Sequence, residues 1–240
     1  MTTQITPQQY GVGARFTLSV YDSDYVRIIM DALSAANPTD LEIDTGDIST
    51  FISGPEQRIM EYLRDVILAA AQTGAHISAS ILLSRGCPGE LQCELPPGVS
   101  ALGANPVRLD QTERRARAHW SLYPLLDAIK DGATPAEPKR HGGDAVLETG
   151  DSVLEGDDAA PQDRSGSAGV LGDHMAPIYA VIEEAKEAGI YSGSDHFATR
   201  LDGDLADVLE TVANAWISVG ANVQHVVTHA TISMNSPTPV

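Results

Sequence analysis

Cysteine is nearly absent: the 240 residues hold two, Cys87 and Cys93. Their C-x5-C spacing fits neither a redox C-x-x-C nor a zinc site, for which a second cysteine pair is missing. Neither thiol is expected to be tied into a disulfide framework. Basic residues are scarce as well: 15 Lys and Arg stand against 33 Asp and Glu, for a net charge of −18. A field of that sign repels nucleic acid and anionic membrane surfaces, and mildly favours a cationic small ligand; it serves solubility equally well. No run of roughly 18 or more apolar residues occurs, so no membrane insertion is expected. The opening Met1-Thr2-Thr3-Gln4-Ile5 has neither a basic n-region nor an apolar h-region, so no signal peptide is expected. These readings point to a soluble, cytoplasmic protein. There is no G-x-S-x-G, no phosphate loop and no paired-carboxylate motif where a fold would present one. The expectation is therefore no catalysis, no metal and no cofactor.

What the chain does have is an internal repeat. The stretch from His76 to Pro88 is echoed from His225 to Pro237, at an offset of 149 residues. The same offset carries Ile48-Ser49-Thr50 onto Phe197-Ala198-Thr199, and Gly54 onto Gly203. Two copies of this length mean a tandem domain, not a solenoid. Any pocket in one copy is then expected to have a divergent twin in the other.

Hydrophobic periodicity orders the first copy. Phe16, Leu18 and Val20 alternate with polar neighbours, a half-buried strand. Asp22, Ser23 or Asp24 can cap the helix that follows, with Tyr25, Ile28, Ile29 and Leu33 at helical spacing. Leu41 to Asp44 reads as a short strand and residues 47–53 as the next, with Ile48, Thr50 and Ile52 on one face. Gly54-Pro55-Glu56 opens a second helix, whose buried stripe is Ile59, Met60, Leu63, Val66, Ile67 and Ala70. Residues 76–84 form the last strand. The order is βαββαβ. Copy two repeats it: a strand at 118–122, a helix at about 175–188, strands at about 190–194 and 196–202, a helix from Leu205 to about Gly220, and a strand at about 224–234.

The fold class expected is therefore α+β: tandem ferredoxin-like (βαββαβ) repeats, antiparallel sheets with helices on one face. Repeat one covers 10–89, a linker 90–117, and repeat two 118–240. Repeat two carries an acidic insert at about 131–172, rich in Gly, Ala, Ser, Pro and Asp. It buries too little to offset its ordering entropy and reads as a mobile loop, either inert or a flap.

Alternation sorts the last strands into faces. Ile77, Ala79, Ile81 and Leu83 point one way, as do Val226, Thr228, Ala230, Ile232 and Met234; that face must lie under the helices. The other face carries hydroxyls and histidines. It can pack on another sheet, from the sister repeat or a second subunit, or it can line a pocket. His225 and His229 are about 13 Å apart along a strand, too far to share one metal ion. The equivalence of His76 and His225 suggests a shared role at the strand start. Asp202-Gly203-Asp204 reads as a turn and helix cap.

Several runs, in this order and spacing, resemble the YkoF family of thiamine/hydroxymethylpyrimidine-binding proteins. They are Ala14-Arg15-Phe16-Thr17-Leu18, Asp47-Ile48-Ser49-Thr50, Ser84-Arg85-Gly86-Cys87-Pro88-Gly89, Ser121-Leu122-Tyr123-Pro124, Leu201-Asp202-Gly203-Asp204 and Asn235-Ser236-Pro237. The resemblance implies two ferredoxin-like repeats, a homodimer and one ligand site per repeat. It implies non-catalytic binding of thiamine or hydroxymethylpyrimidine (HMP), in uptake or salvage. By motif position it implicates Ser19, Asp47, Ser49, Thr50, Ser84 and Cys87 in copy one. In copy two it implicates Ser121, Tyr123, His196, Thr199, Ser233 and Asn235. An aminopyrimidine needs an acceptor for its amine and donors for its ring nitrogens, which Asp47 and these hydroxyls can supply. Copy two has His196 for Asp47 and Ala198 for Ser49, so unequal affinities are expected. A sensor module for another ligand, or a small enzyme using Cys87, is the alternative.

Overall fold

The computed structural model describes residues 5–87, 102–125 and 176–238. The insert expected at about 131–172 and residues 90–101 of the expected linker lie outside the described residues.

Two βαββαβ halves follow one another. The first holds β1 (Gly13–Tyr21), α1 (Tyr25–Ala35), β2 (Glu42–Thr45), β3 (Thr50–Ser53), α2 (Glu56–Gln72) and β4 (His76–Arg85). The second holds β5 (Arg115–Pro124), α3 (Ala176–Glu187), β6 (Tyr191–Asp195), β7 (Ala198–Asp204), α4 (Leu205–Gly220) and β8 (Val226–Met234). All eight strands join one antiparallel sheet in the order β2-β3-β1-β4-β8-β5-β7-β6. The result is a mixed α+β architecture with four helices among the described residues.

Period-two patterning decides which face is covered. In β4 the buried set is Ile77, Ala79, Ile81, Leu83 and Arg85; in β8 it is Val226, Thr228, Ala230, Ile232 and Met234. The expected stripe of α2 is buried in full, as are Leu205, Val208, Leu209, Val212 and Trp216 of α4, and both helices pack against the sheet. The sister repeats meet edge to edge, not face to face: β4 pairs β8 from Ile77↔Met234 to Arg85↔Val226. This corrects the idea that the second repeat covers the first one's polar face. Edge pairing satisfies the backbone groups of both strands and leaves both polar faces open on one side.

Three histidine–serine pairs run along this seam on the open face. His76 Nε2 lies 3.2 Å from Ser233 Oγ, His229 Nε2 lies 3.1 Å from Ser80 Oγ, and His225 Nε2 lies 3.0 Å from Ser84 Oγ. The outer two pairs exchange under the repeat, so His76 and His225 share a seam role.

Behind the sheet, residues 102–112 run along α4 as an extended strap. Asn214 holds both backbone groups of Val107, and Glu210 accepts from Leu109 N. Gln57 of α2 likewise brackets Arg108, accepting from its N–H and donating to its carbonyl. Asp204 closes the strap, accepting from Thr112 N, Thr112 Oγ1 and Arg114 N while capping α4 through Ala206 N at 2.8 Å. Burial pushes the Asp204 carboxyl pKa up, but these hydrogen bonds outweigh it and hold the pKa below its ordinary value. A carboxylate with a depressed folded-state pKa stabilises the fold above its unfolded pKa and loses that contribution as pH falls through the folded one. Asp204→Asn, which still caps, should show a flatter loss of denaturant midpoint than wild type below about pH 4. Identical profiles would reject this assignment.

One strand differs from expectation. β3 begins at Thr50, because Gly46 N donates to Ser49 O at 3.1 Å and closes a tight turn over residues 46–49. Ile48, expected on the buried face, stands 80% exposed at the tip of that turn.

A cleft where strand pairing stops

The candidate site arises from unequal strand lengths. β5 pairs with β7 only as far as Trp120↔Thr199, then runs on to Pro124 paired with β8 alone. β1 pairs with β3 only as far as Phe16↔Thr50, then runs on to Tyr21. One hydroxyl bridges each gap at the hairpin tip. Ser121 Oγ donates to Phe197 O at 3.1 Å, and Thr17 Oγ1 donates to Ile48 O at 3.2 Å. These are twin bonds in the two repeats.

In the second half the gap opens into a cleft of about 460 Å³. Trp120, Leu122, Ile178 and Ile182 supply apolar lining, Ser194, Ala198 and Thr199 come from the hairpin, and Ser121, Tyr123 and Phe197 complete it. Trp120 is pinned: its indole N–H donates to Thr228 Oγ1 at 2.8 Å, and Thr228 Oγ1 donates to Ser121 O at 2.9 Å. Phe197 is fully exposed and has a φ of 68°. An exposed aromatic side chain on a left-handed backbone is costly twice over, and such costs collect at ligand sites. In the first half the twin positions carry Phe16, Leu18, Ile29 and Leu33, with Thr45 and Thr50 sharing a hydrogen bond of 3.2 Å.

Backbone polarity adds to this. Leu205 N donates to Arg114 O, and Leu125 N donates to His225 O. Along an antiparallel strand the bonding direction alternates residue by residue. Even-numbered residues of β5 therefore turn their peptide groups toward β7, and odd-numbered ones toward β8. Leu122 is the next even residue after the last β7 pair, so its N–H and C=O face the cleft.

A second cavity, of about 260 Å³, lies between α3 and α4. Its Asp207, Glu210 and Asn214 side chains already hold Gln111, Leu109 and Val107 of the strap. It is a joint, not a site.

The structure brings Ser121, Tyr123 and Thr199 to the second cleft. Ser19, Ser49 and Thr50 hold the twin positions in the first half. Thr50 is buried under the helices, and Ser49 Oγ accepts from Arg15 Nη1 at 3.0 Å. Asp47 and His196 stand exposed at the hairpin turns. Ser84 and Ser233 are bonded to histidines in the seam. Asn235, with φ 54°, donates to Ala71 O and Ala75 O, tying down the end of α2. It is the repeat twin of Gly86, whose φ is 94°, so a left-handed turn explains both. Cys87 is disulfide-bonded, which corrects the expectation of two untied thiols. Motif spacing cannot exclude a disulfide, because pairing depends on Cβ geometry. No group of three or more His, Cys, Asp or Glu able to hold a metal occurs among the described residues.

Sequence reading missed Trp120, Leu122, Ile178, Ile182, Ser194 and Phe197. The offset itself was the available signal, since it aligns Phe197 with Ile48 and Ile178 with Ile29.

The sequence pattern of the YKOF-related family matches residues 11–90 and 170–239, more than half the chain. The chain belongs to the YKOF-related family. It is also 24% identical over 227 residues to the Bacillus subtilis (strain 168) protein named "Putative HMP/thiamine-binding protein YkoF", covering 94% of this chain and 90% of that one. The two YKOF-matched segments correspond to the two halves, while β5, which supplies Trp120 to Tyr123, falls between them. That name describes a binding protein.

Proposed function

We propose that this chain binds thiamine or hydroxymethylpyrimidine without catalysis, one site per half, at the ends of β1 and β5. The observation that carries the reading is the second cleft, whose volume of about 460 Å³ suits a small heterocycle. Its lining combines apolar walls with a few hydroxyls, as such sites require. The strand order β2-β3-β1-β4, repeated as β6-β7-β5-β8, supports tandem ferredoxin-like units with boundaries near 10–89 and 118–240. The role is uptake or salvage of thiamine precursors. Tyr21, Leu82 and Tyr123 are exposed on the open sheet face, which supports a homodimer formed there. Among the described residues no helix is long and apolar enough to cross a membrane, and the reading places the protein in the cytoplasm. In that compartment the Cys87 bond is expected to be reduced.

The two sites differ. Asp47 and Ser49 of the first half become His196 and Ala198 in the second, so the first is expected to hold an aminopyrimidine more tightly. Calorimetric titration with HMP and with thiamine should give two unequal steps of roughly micromolar strength. Two identical steps would reject the asymmetry. No heat and no thermal shift with either compound would reject the vitamin reading.

A further inference from the structure

Resting on the ligand class proposed above, we infer that the outward-facing peptide of Leu122 reads the aminopyrimidine edge directly, as a missing strand residue would. The argument starts from strand register. Pairing of β5 with β7 ends at Trp120↔Thr199, and the bonding alternation set by Leu205 N→Arg114 O turns the Leu122 N–H and C=O into the cleft. The β7 side would have to answer them at Phe197. It does not: the left-handed backbone of Phe197 leaves the strand, and its carbonyl accepts from Ser121 Oγ. Leu122 itself lines the cleft.

A pyrimidine bearing an amine next to a ring nitrogen offers an acceptor and a donor side by side. A strand residue facing outward offers a donor and an acceptor on the same edge. The two sets match at both points, with the ring lying in the plane of the sheet. The nearby Ser194 hydroxyl shares a hydrogen bond with Tyr191, which leaves the peptide as the paired donor and acceptor. Recognition by main chain is common to both halves, and the Asp47/His196 and Ser49/Ala198 exchanges act on top of it. Leu18 is the twin of Leu122, beside the twin bond from Thr17 to Ile48. The ligand class is therefore any flat heterocycle with an adjacent ring nitrogen and amine. A ring without the amine leaves the Leu122 carbonyl unpaired and is penalised.

The test uses the full chain labelled with 15N-leucine and titrated with HMP and with its analogue lacking the amine. Leu122→Ile identifies the Leu122 amide resonance while keeping the peptide. The Leu122 amide should shift saturably with HMP and gain protection from exchange, and the analogue should bind at least about tenfold more weakly. HMP binding with an unmoved Leu122 amide, or equal binding of the analogue, would overturn the inference and leave the vitamin reading standing. No binding of either compound would overturn both.

Discussion

Arg85→Leu is expected to destabilise the protein by about 3–5 kcal/mol, because it leaves a half-buried carboxylate and several carbonyls without their partner. Arg85 is 0% exposed. Its Nε donates to Glu56 Oε1 at 3.1 Å, Nη1 to Gly220 O at 2.8 Å, and Nη2 to Leu102 O and Gly103 O at 2.8 and 2.9 Å. The guanidinium also lies 5.1 Å from the centre of the Tyr10 ring. One side chain thus ties together α2, the strap and the end of α4. The next residue shows how tight this corner is: a Cβ at Gly86 would lie 2.0 Å from Gln224 O. Denaturant titration of Arg85→Leu, Glu56→Leu and the double variant gives the coupling. The double variant should recover part of the loss, since it removes the orphaned charge. A loss under about 1 kcal/mol for Arg85→Leu would mean that water replaces the guanidinium freely.

Arg85 also shows what could be read from the sequence and what could not. It continues the apolar face Ile77, Ala79, Ile81, Leu83, and its repeat twin is Met234, so a charge under the helices was visible in principle. Its partners were not, because Leu102 and Gly103 belong to a strap that carries no periodic signal. The elements themselves were legible, since amphipathic stripes and a fixed offset are local patterns. The candidate cleft was legible only in part. Ser121, Tyr123 and Thr199 reach the cleft, yet the cleft exists because two strand pairings stop early. Where pairing stops depends on turn geometry at residues 46–49 and 195–198, not on side-chain alternation. Alternation instead drew attention to the hydroxyls of the open face. There Ser84 and Ser233 proved to be bonded to histidines along the seam. Asn235 shared a motif with Ser236-Pro237, but its left-handed backbone and its bonds to Ala71 and Ala75 fit a turn.

Trp120→Ala should cost about 3–5 kcal/mol and abolish the second binding step while sparing the first. Trp120 is buried and forms a wall of the second cleft, so truncation both empties core volume and removes the surface on which a ring would lie. The repeat supplies the control. Trp120 and Thr228 in the second half correspond to Phe16 and Ala79 in the first. Both pairs face the helices, and only the indole needs a hydrogen-bond acceptor. Thr228→Ala alone orphans the buried indole N–H and should cost about 1–3 kcal/mol. Adding Trp120→Phe removes the orphan, so the double variant should be more stable than the sum of the singles predicts. That double variant stays folded and carries a first-half wall in the second cleft, which separates loss of binding from loss of fold. Calorimetry on it should move the second step toward the affinity of the first. If Trp120→Ala retains both steps unchanged at a temperature where it is folded, the second site does not lie in this cleft. If the double variant matches the sum of the singles, the indole and Thr228 are not a coupled pair.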